Sequence, residues 1–209
     1  MLMLNTETTT LKHTEGKLMA DKTSKTKWHT LDTTLYYAKV FEKNRDTNDM
    51  HSASNGVTSV SMILTDAQIQ DLMDMGIPKS ALGYDTFKKK DYAGDDWVYT
   101  AKRPWTHKYL KEDDGSPVQM GEPEVFDYNK ALAKWSEAGA TGSLRDHIEL
   151  WSMVDDGLIG NGTKAKVKLS IYNGKNKAGK PTNVTTLESI AITDLVVYES
   201  GDTSDGPRW

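Results

Sequence analysis

Strict alternation of polar and apolar residues along one short segment constrains the fold more than any other feature of the sequence. In residues 164–172 (KAKVKLSIY) every second residue is apolar. A period of two indicates a half-buried β-strand rather than a helix. Four apolar residues are therefore expected to face a core, namely Ala165, Val167, Leu169 and Ile171. The opposite side carries Lys164, Lys166, Lys168, Ser170 and Tyr172.

The glycines before this strand are spaced like those of a phosphate-binding loop, but their context excludes one. Four residues separate Gly157 from Gly162. A P-loop requires Lys and then Ser or Thr directly after the second glycine, whereas here Thr163 precedes Lys164. It also requires a helix, whose N-terminal amides hold the phosphate, and this segment continues as a strand. The pattern therefore predicts a glycine turn that leads into a lysine-bearing strand.

The rest of the chain predicts short strands separated by two short helices and long polar loops. Residues 66–78 (DAQIQDLMDMGIP) are typical of an amphipathic helix with Asp66 as its N-cap, and residues 128–139 predict a second helix. Further strands are predicted at 34–44, 56–65, 97–105 and 183–200. This arrangement favours a small, mainly β fold, a partly open β-barrel with insertions.

Composition excludes several classes of protein. The chain has no cysteine, which excludes disulfides and thiolate metal sites. Its five histidines are scattered without metal-ligand spacing, so no metal and no cofactor are expected. No apolar run reaches the length of a membrane span, and the N-terminus has no signal-peptide pattern, so a cytosolic protein is expected. The net charge of −4 neither indicates nor excludes nucleic-acid binding.

Catalysis has little support in the sequence. The paired acidic residues at 95–96, 113–114 and 155–156 stand in turn-like stretches beside glycine. General acid–base chemistry by one of these pairs, as in a hydrolase, is an open alternative. Neither a nucleophile elbow nor a dinucleotide-binding fingerprint is present. We therefore predict that the protein is not an enzyme.

Aromatic and basic residues interleave on two of the predicted strands. Tyr37, Lys39 and Phe41 share one side of the first strand. Bases of single-stranded nucleic acid stack on aromatic rings while cations neutralise the phosphates, so such a face predicts a binding platform. The alternative is that these rings belong to the barrel core. The third strand repeats the pattern, with Trp97, Tyr99, Arg103 and Trp105 on one side.

Two pairs of motifs resemble bacteriophage single-stranded DNA-binding proteins. YYAKVFEKNRD followed by SVSMILT resembles the opening of that family, and LIGNGTKAKVKLSIY followed by LESIAITDLVVYE resembles its closing pair of strands. The resemblance implies an OB-fold, a five-stranded Greek-key β-barrel, over residues 31–199. Residues 1–30 are then expected to form a flexible arm and residues 200–209 a short tail. It also implies sequence-independent binding that coats and protects single-stranded DNA during phage replication, recombination and repair.

The resemblance assigns roles to particular residues. The resemblance implies that phage replication proteins such as polymerase or helicase–primase contact the closing tail of the chain. This tail has few acidic residues and ends at Trp209. The implied location is the cytoplasm of an infected bacterium, and a homodimer is an open alternative to a monomer. The rival function is a structural or assembly β-barrel protein of a phage that binds no nucleic acid. The DNA-contact candidates from the family motifs are Tyr37, Lys39, Phe41, Arg45, Lys164, Lys166, Lys168 and Tyr172, and strand parity adds Tyr99, Arg103 and Trp105.

Overall fold

A computed structural model describes residues 26–81, 84–175 and 181–198. Ten strands are present in this part of the chain: β1 Lys27–Lys39, β2 Val57–Leu64, β3 Ser80–Ala81, β4 Tyr84–Asp85, β5 Trp97–Pro104, β6 Thr106–Lys111, β7 Pro117–Gln119, β8 Glu124–Asp127, β9 Thr163–Lys175 and β10 Pro181–Asp194. The helices are α1 Asp66–Asp74 and α2 Tyr128–Glu137, with 3-10 turns at Glu42–Asn44, Asp49–Ser54, Asp91–Ala93 and Leu144–His147.

Six strands form one sheet in the order β5-β2-β1-β9-β10-β8. All neighbours are antiparallel except β8, which runs parallel to β10. The sheet curls so that β5 returns to β10, where the Arg103 guanidinium donates to the carbonyl of Leu187 (3.3 Å) and to the Glu188 carboxylate (2.8 Å). The result is the predicted OB-fold of five strands (β1, β2, β5, β9 and β10), with β8 as an added sixth strand.

The barrel core follows the predicted alternation. On β9, Ala165, Val167, Leu169 and Ile171 are all buried, while the lysines between them remain at the surface. The period-two prediction for this strand is confirmed. Facing strands complete the core with the fully buried side chains of Leu35, Val60, Met62, Leu64, Leu187 and Ile190. Ser170 is the exception on the polar side, because it is buried and donates to Glu188 (2.5 Å).

The predicted boundary of the N-terminal arm at residue 30 is wrong. Strand β1 begins at Lys27 rather than Thr34 and pairs with β9 from its first residue, Lys27 opposite Ile171. Thr30, Leu31 and Asp32 continue the same ladder. The remaining arm, residues 1–25, lies outside the described residues, as does the predicted tail at 200–209 with Trp209.

The first helix begins one residue earlier than its predicted N-cap implies. Thr65, not Asp66, is the N-cap of α1, and it forms a reciprocal capping box with Gln68. The Asp66 carboxylate instead accepts a hydrogen bond from the Trp97 indole at 2.7 Å. The predicted second helix is confirmed as α2. Within the described residues, neither helix is long and apolar enough to cross a bilayer.

Candidate nucleic-acid interface

Tyr37 occupies an unusual backbone conformation at the end of β1. Its φ of 51° lies in the left-handed region, where a bulky residue is rarely found and costs on the order of 1–3 kcal/mol. The pairing between β1 and β2 shifts register at this point, between Tyr36 and Lys39. The displaced Tyr37 amide donates to the Asn161 side-chain oxygen at 2.8 Å, and the Tyr37 ring remains 49% exposed. The bulge therefore turns this ring towards solvent.

The loop that holds Asn161 is itself fixed by backbone contacts. Gly160 donates to the Val196 carbonyl at 2.8 Å and Gly162 donates to the Leu35 carbonyl at 2.9 Å. A Cβ at residue 160 would lie 2.6 Å from the Val196 oxygen, so only glycine fits this close approach. Asn161 thus stands between two anchored residues, in a position to hold the Tyr37 amide.

Two further tyrosines support the exposed ring. Tyr36 stacks on Tyr92, with ring centroids 4.7 Å apart and an interplanar angle of 23°. Tyr37 meets Tyr92 edge-on at 5.5 Å. Burial, then the neighbouring Tyr37, raises the pKa of Tyr92 above its usual value of 10.0, so this hydroxyl is neutral near pH 7. The cluster gives Tyr37 a rigid apolar backing.

A concave surface of about 410 Å³ opens beside Tyr37, and we call it the tyrosine pocket. The side chain of Tyr198, 40% exposed, lies on another part of its rim. Three of the described lining residues are cations and none is Asp or Glu. The full described lining is Tyr37, Ala38, Lys39, Lys43, Asn44, Arg45, Leu158, Ile159, Asn161 and Tyr198.

Arg45 connects the tyrosine pocket to the core. Its guanidinium lies 4.5 Å from the Trp105 ring centroid and donates to the carbonyls of Glu42 and Asn55, both at 3.2 Å. A further hydrogen bond of 3.3 Å reaches the Glu42 carboxylate. Three hydrogen bonds and the ring contact therefore fix the guanidinium at the pocket wall, where it places a positive charge beside the Glu42 carboxylate.

Three aromatic residues predicted to contact DNA are core residues instead. Phe41 is 4% exposed, Tyr99 is 7% exposed and Trp105 is 6% exposed. The parity prediction was correct that the β5 residues share a side, but that side faces the barrel interior, together with the fully buried Ala101. The prediction that these three rings form an exposed platform is wrong, because none of them is open to a base.

Arg103 is also structural rather than exposed. Its guanidinium donates to the carbonyls of Met120 (2.9 Å) and Leu187 (3.3 Å) as well as to the Glu188 carboxylate. The side chain is 16% exposed. The prediction of a DNA contact at Arg103 is wrong, because these internal partners occupy its donors in closing the barrel.

The lysines of β9 form a second surface, the lysine face, which we define as Lys164, Lys166 and Lys168 together with the outward β1 residues Trp28, Thr30, Asp32 and Thr34. Lys166 pairs with Asp32 at 2.6 Å, and Lys164 lies 3.5 Å from the Asp194 carboxylate. The hydrogen bond to Asp32 raises the pKa of Lys166 above its usual value. Two of the three lysine charges are therefore balanced by carboxylates.

Trp28, which the sequence interpretation assigned to the flexible arm, lies on the lysine face. It is 56% exposed, and the Lys168 ammonium stands 4.7 Å from its ring centroid. The signal that could have found it is the strand-forming content of residues 28–35 (WHTLDTTL), which include one tryptophan and three threonines. Tyr172, at the far end of β9, is half-buried, and burial followed by the charge of Glu188 raises its pKa.

The arrangement suits an elongated anion that carries flat rings. The tyrosine pocket combines a supported, exposed ring with three cations, and the lysine face adds an exposed indole beside an ammonium. Among the residues that the structure describes, no group of three or more His, Asp or Glu side chains is arranged to hold a metal ion. DNA contact by Tyr37, Lys39, Arg45, the three β9 lysines and Tyr172 stays a prediction.

Comparison with known proteins adds information at the level of the fold. No family model matches the sequence, and no curated protein matches it significantly. The single-stranded DNA-binding protein of bacteriophage Enc34, as a C-terminal truncation, is 12% identical, with 88% of this chain and 95% of that chain covered at a TM-score of 0.44. The crystal structure of gp2.5, a single-stranded DNA-binding protein encoded by bacteriophage T7, is 15% identical, with 87% and 93% covered at a TM-score of 0.51.

The second of these likenesses extends over most of both chains and shows a shared fold. The OB-fold prediction is confirmed by it and by the strand order described above. The resemblance to phage single-stranded DNA-binding proteins, first noted in the motifs, is confirmed as a likeness of fold.

Proposed function

We propose that this protein binds single-stranded DNA without sequence preference and does so without catalysis or a cofactor. Its fold is one that serves single-stranded nucleic-acid binding by stacking bases on aromatic rings within a positive groove. The solved phage protein with which it shares this fold, gp2.5 of bacteriophage T7, is named a single-stranded DNA-binding protein. Both points support binding in general, and the tyrosine pocket supports a particular site.

The observation that carries the proposal is the conformation of Tyr37. A ring that is 49% exposed, on a backbone held at φ 51° by Asn161, is an unfavourable arrangement for the fold alone. Strained conformations of this kind cluster at functional sites, because the surrounding structure must sustain them. Here the surroundings are Lys39, Lys43 and Arg45, which supply the phosphate-neutralising charge that stacking sites require.

The wider role follows from this activity as part of the same proposal. The protein would coat exposed single strands in the cytoplasm of an infected bacterium during phage DNA replication, recombination and repair. Coating protects the strand and prevents re-annealing. Recruitment of polymerase or helicase–primase through Trp209, and assembly as a homodimer, belong to the proposal as separate steps with separate tests.

The direct test is a titration of labelled oligonucleotides over a range of salt concentrations. We expect single strands of different sequence to bind alike, and far better than a duplex of the same length, because stacking needs unpaired bases. Log affinity should fall linearly with log salt, with a slope of roughly −0.7 per neutralised phosphate.

The rival function predicts a different result in the same assay. A structural or assembly protein of a phage particle has no affinity for the oligonucleotide and no salt dependence. Equal affinity for duplex and single strand would also overturn the proposal, because it would indicate phosphate contact without stacking.

A further inference from the structure

We infer that the bound strand continues from the tyrosine pocket along the seam between β1 and β9 and ends with a base stacked on Trp28. This inference rests on the proposed function and extends it to a second stacking site. Neither the sequence motifs nor strand parity on β5 pointed to Trp28. Four observations on the described residues support the inference.

The first observation is the exposure of Trp28 itself. An indole that is 56% exposed on a regular strand has lost little contact with water and adds little to the core. Its neighbour Lys168 places an ammonium 4.7 Å from the ring centroid. In the described part of the chain, Lys168 has no carboxylate partner, unlike Lys164 and Lys166. Ring and cation together are the pair that a stacked nucleotide requires.

The second observation is the alignment of the two stacking sites. Trp28 and Tyr37 lie at opposite ends of β1, nine residues apart. At about 3.3 Å per residue this separation is roughly 30 Å. The outward residues between them on β1 stand opposite the lysines of β9: Thr34 opposite Lys164, Asp32 opposite Lys166, and Thr30 opposite Lys168. One line of cations therefore joins the two rings.

The third observation is a cleft beside Trp28 that has the size for a base. It measures about 480 Å³, and its lining includes Trp28, Lys168 and Arg145, together with Ser189 of β10 and the neighbouring Glu124 of β8. Glu124 is paired with Arg145. A second carboxylate of the lining, Glu188, is paired with Arg103. The third carboxylate of the lining, Glu122, accepts the Glu42 amide at 2.5 Å. Three cations of the same lining, Arg103, Arg145 and Lys168, match these three carboxylates in number, so the cleft wall is not a net anionic surface that repels a nucleotide.

The fourth observation is that the carboxylates on the lysine face are weakly held. Asp32 is 76% exposed at its side chain and Asp194 is 67% exposed. Ion pairs between exposed side chains contribute little to stability. A phosphate arriving at Lys166 can therefore displace Asp32 at small cost to the fold. On this inference, Asp32 occupies the place of a phosphate in the unbound protein.

The test compares Trp28→Ala with the wild type on a thymidine tetranucleotide and a thymidine dodecanucleotide. Even at twice the B-form rise of 3.4 Å, the three steps of a tetranucleotide span about 20 Å, too little to join the two sites. We expect tetranucleotide affinity to be unchanged and dodecanucleotide affinity to fall at least about fivefold. Trp28→Phe should restore most of the loss, and Tyr84→Ala, at a ring that is 74% exposed, is the matched control.

The outcomes separate the two proposals. If the wild type binds neither oligonucleotide, the proposed function is overturned. If the wild type binds both and Trp28→Ala binds the dodecanucleotide equally well, only the extension along the seam is overturned. A loss by Trp28→Ala on the tetranucleotide as well would also overturn the extension, because Trp28 would then belong to the first contact.

A gain-of-affinity variant gives an independent test. Asp32→Asn removes the carboxylate that competes for Lys166 while keeping the shape of the side chain. We expect about a twofold or greater increase in dodecanucleotide affinity, with a salt slope steeper by roughly 0.7. The tetranucleotide affinity should stay constant. Unchanged dodecanucleotide binding would overturn a path across Lys166.

Discussion

The tyrosine pocket and the lysine face contain the same kinds of residue but differ in how their charges are balanced. In the pocket, the described lining holds three cations and no Asp or Glu. On the lysine face, Asp32 and Asp194 stand beside two of the three lysines. In the pocket, Arg45 also pairs with a carboxylate, that of Glu42 at 3.3 Å. The sharpest contrast is therefore between Lys43 of the pocket, which forms no ion pair within the described residues, and Lys166 of the face, which is paired with Asp32.

This difference teaches that a row of lysines is a poor guide to a phosphate site by itself. What matters for an approaching strand is whether the cation must first leave a carboxylate. The two regions also differ beneath the surface, since the pocket wall packs through Arg45 onto the buried Trp105 ring. On the lysine face, by contrast, the tryptophan beside Lys168 is Trp28, which is exposed and not part of the core.

The largest effect is expected where the pocket meets the core. Trp105→Ala should lower the free energy of unfolding by about 3–5 kcal/mol, because it removes a buried ring and leaves a cavity. Trp28→Ala is the matched change on the lysine face and should cost less than about 0.5 kcal/mol. Urea unfolding of both variants measures the contrast. Similar losses for the two would show that Trp28 is packed in solution.

The next effect concerns binding rather than stability. Tyr37→Ala should weaken affinity for single strands of every length by about 1–3 kcal/mol, because the stacking ring is lost. Its melting temperature should fall little, since the ring is half exposed. Tyr37→Phe keeps the ring and is expected to bind like the wild type. Normal binding by the alanine variant would show that the primary binding site is not the tyrosine pocket.

A smaller effect tests charge balance directly with two single lysines. Lys43→Ala in the pocket should reduce the steepness of log affinity against log salt by roughly 0.7, the value of one phosphate contact. Lys166→Ala should change this slope by much less. A phosphate that binds Lys166 releases a cation from the DNA, but the displaced Asp32 carboxylate takes up a cation from solution, so the net release is close to zero. Equal changes for the two variants would remove the distinction between the regions.

The smallest effect is expected from pH. The hydrogen bond to Asp32 raises the pKa of Lys166 above 10.5, and burial raises that of Tyr92 above 10.0. For a raised pKa, the stabilising contribution is complete below the unfolded-state value and is lost only as pH rises through the folded-state value. Affinity and melting temperature should therefore stay level between about pH 7 and 9. A step in either within that range would implicate another titrating group.

Strand periodicity accounts for how much of the fold was predictable. The alternation through Val167 and Leu169 identified a strand and its buried side correctly, because a one-residue shift would have exposed every apolar residue. The capping residue of α1 was missed by one position, since Thr65 and Asp66 are both good N-caps. The reciprocal capping box between Thr65 and Gln68 makes Thr65 the cap, and the Asp66 carboxylate bonds to Trp97 instead.

The candidate site was less predictable for a different physical reason. Parity tells which residues of a strand share a side, but not which side faces the core. Tyr99 and Trp105 were therefore grouped correctly and placed on the wrong face, although the small residue Ala101 in the same row favoured the interior. The bulge at Tyr37 and the ion pairs of the lysines depend on contacts such as that with Asn161, 124 residues away along the chain.

The left-handed backbone at Tyr37 sets stability and binding against each other. Glycine or asparagine adopts this conformation at lower cost, so either substitution relieves local strain while removing the ring. Selection for thermal robustness alone would favour such a change, and selection for binding would reject it. A substitution chosen at residue 37 for higher melting temperature would therefore remove DNA binding without disturbing the fold. Melting temperature alone would not reveal that loss.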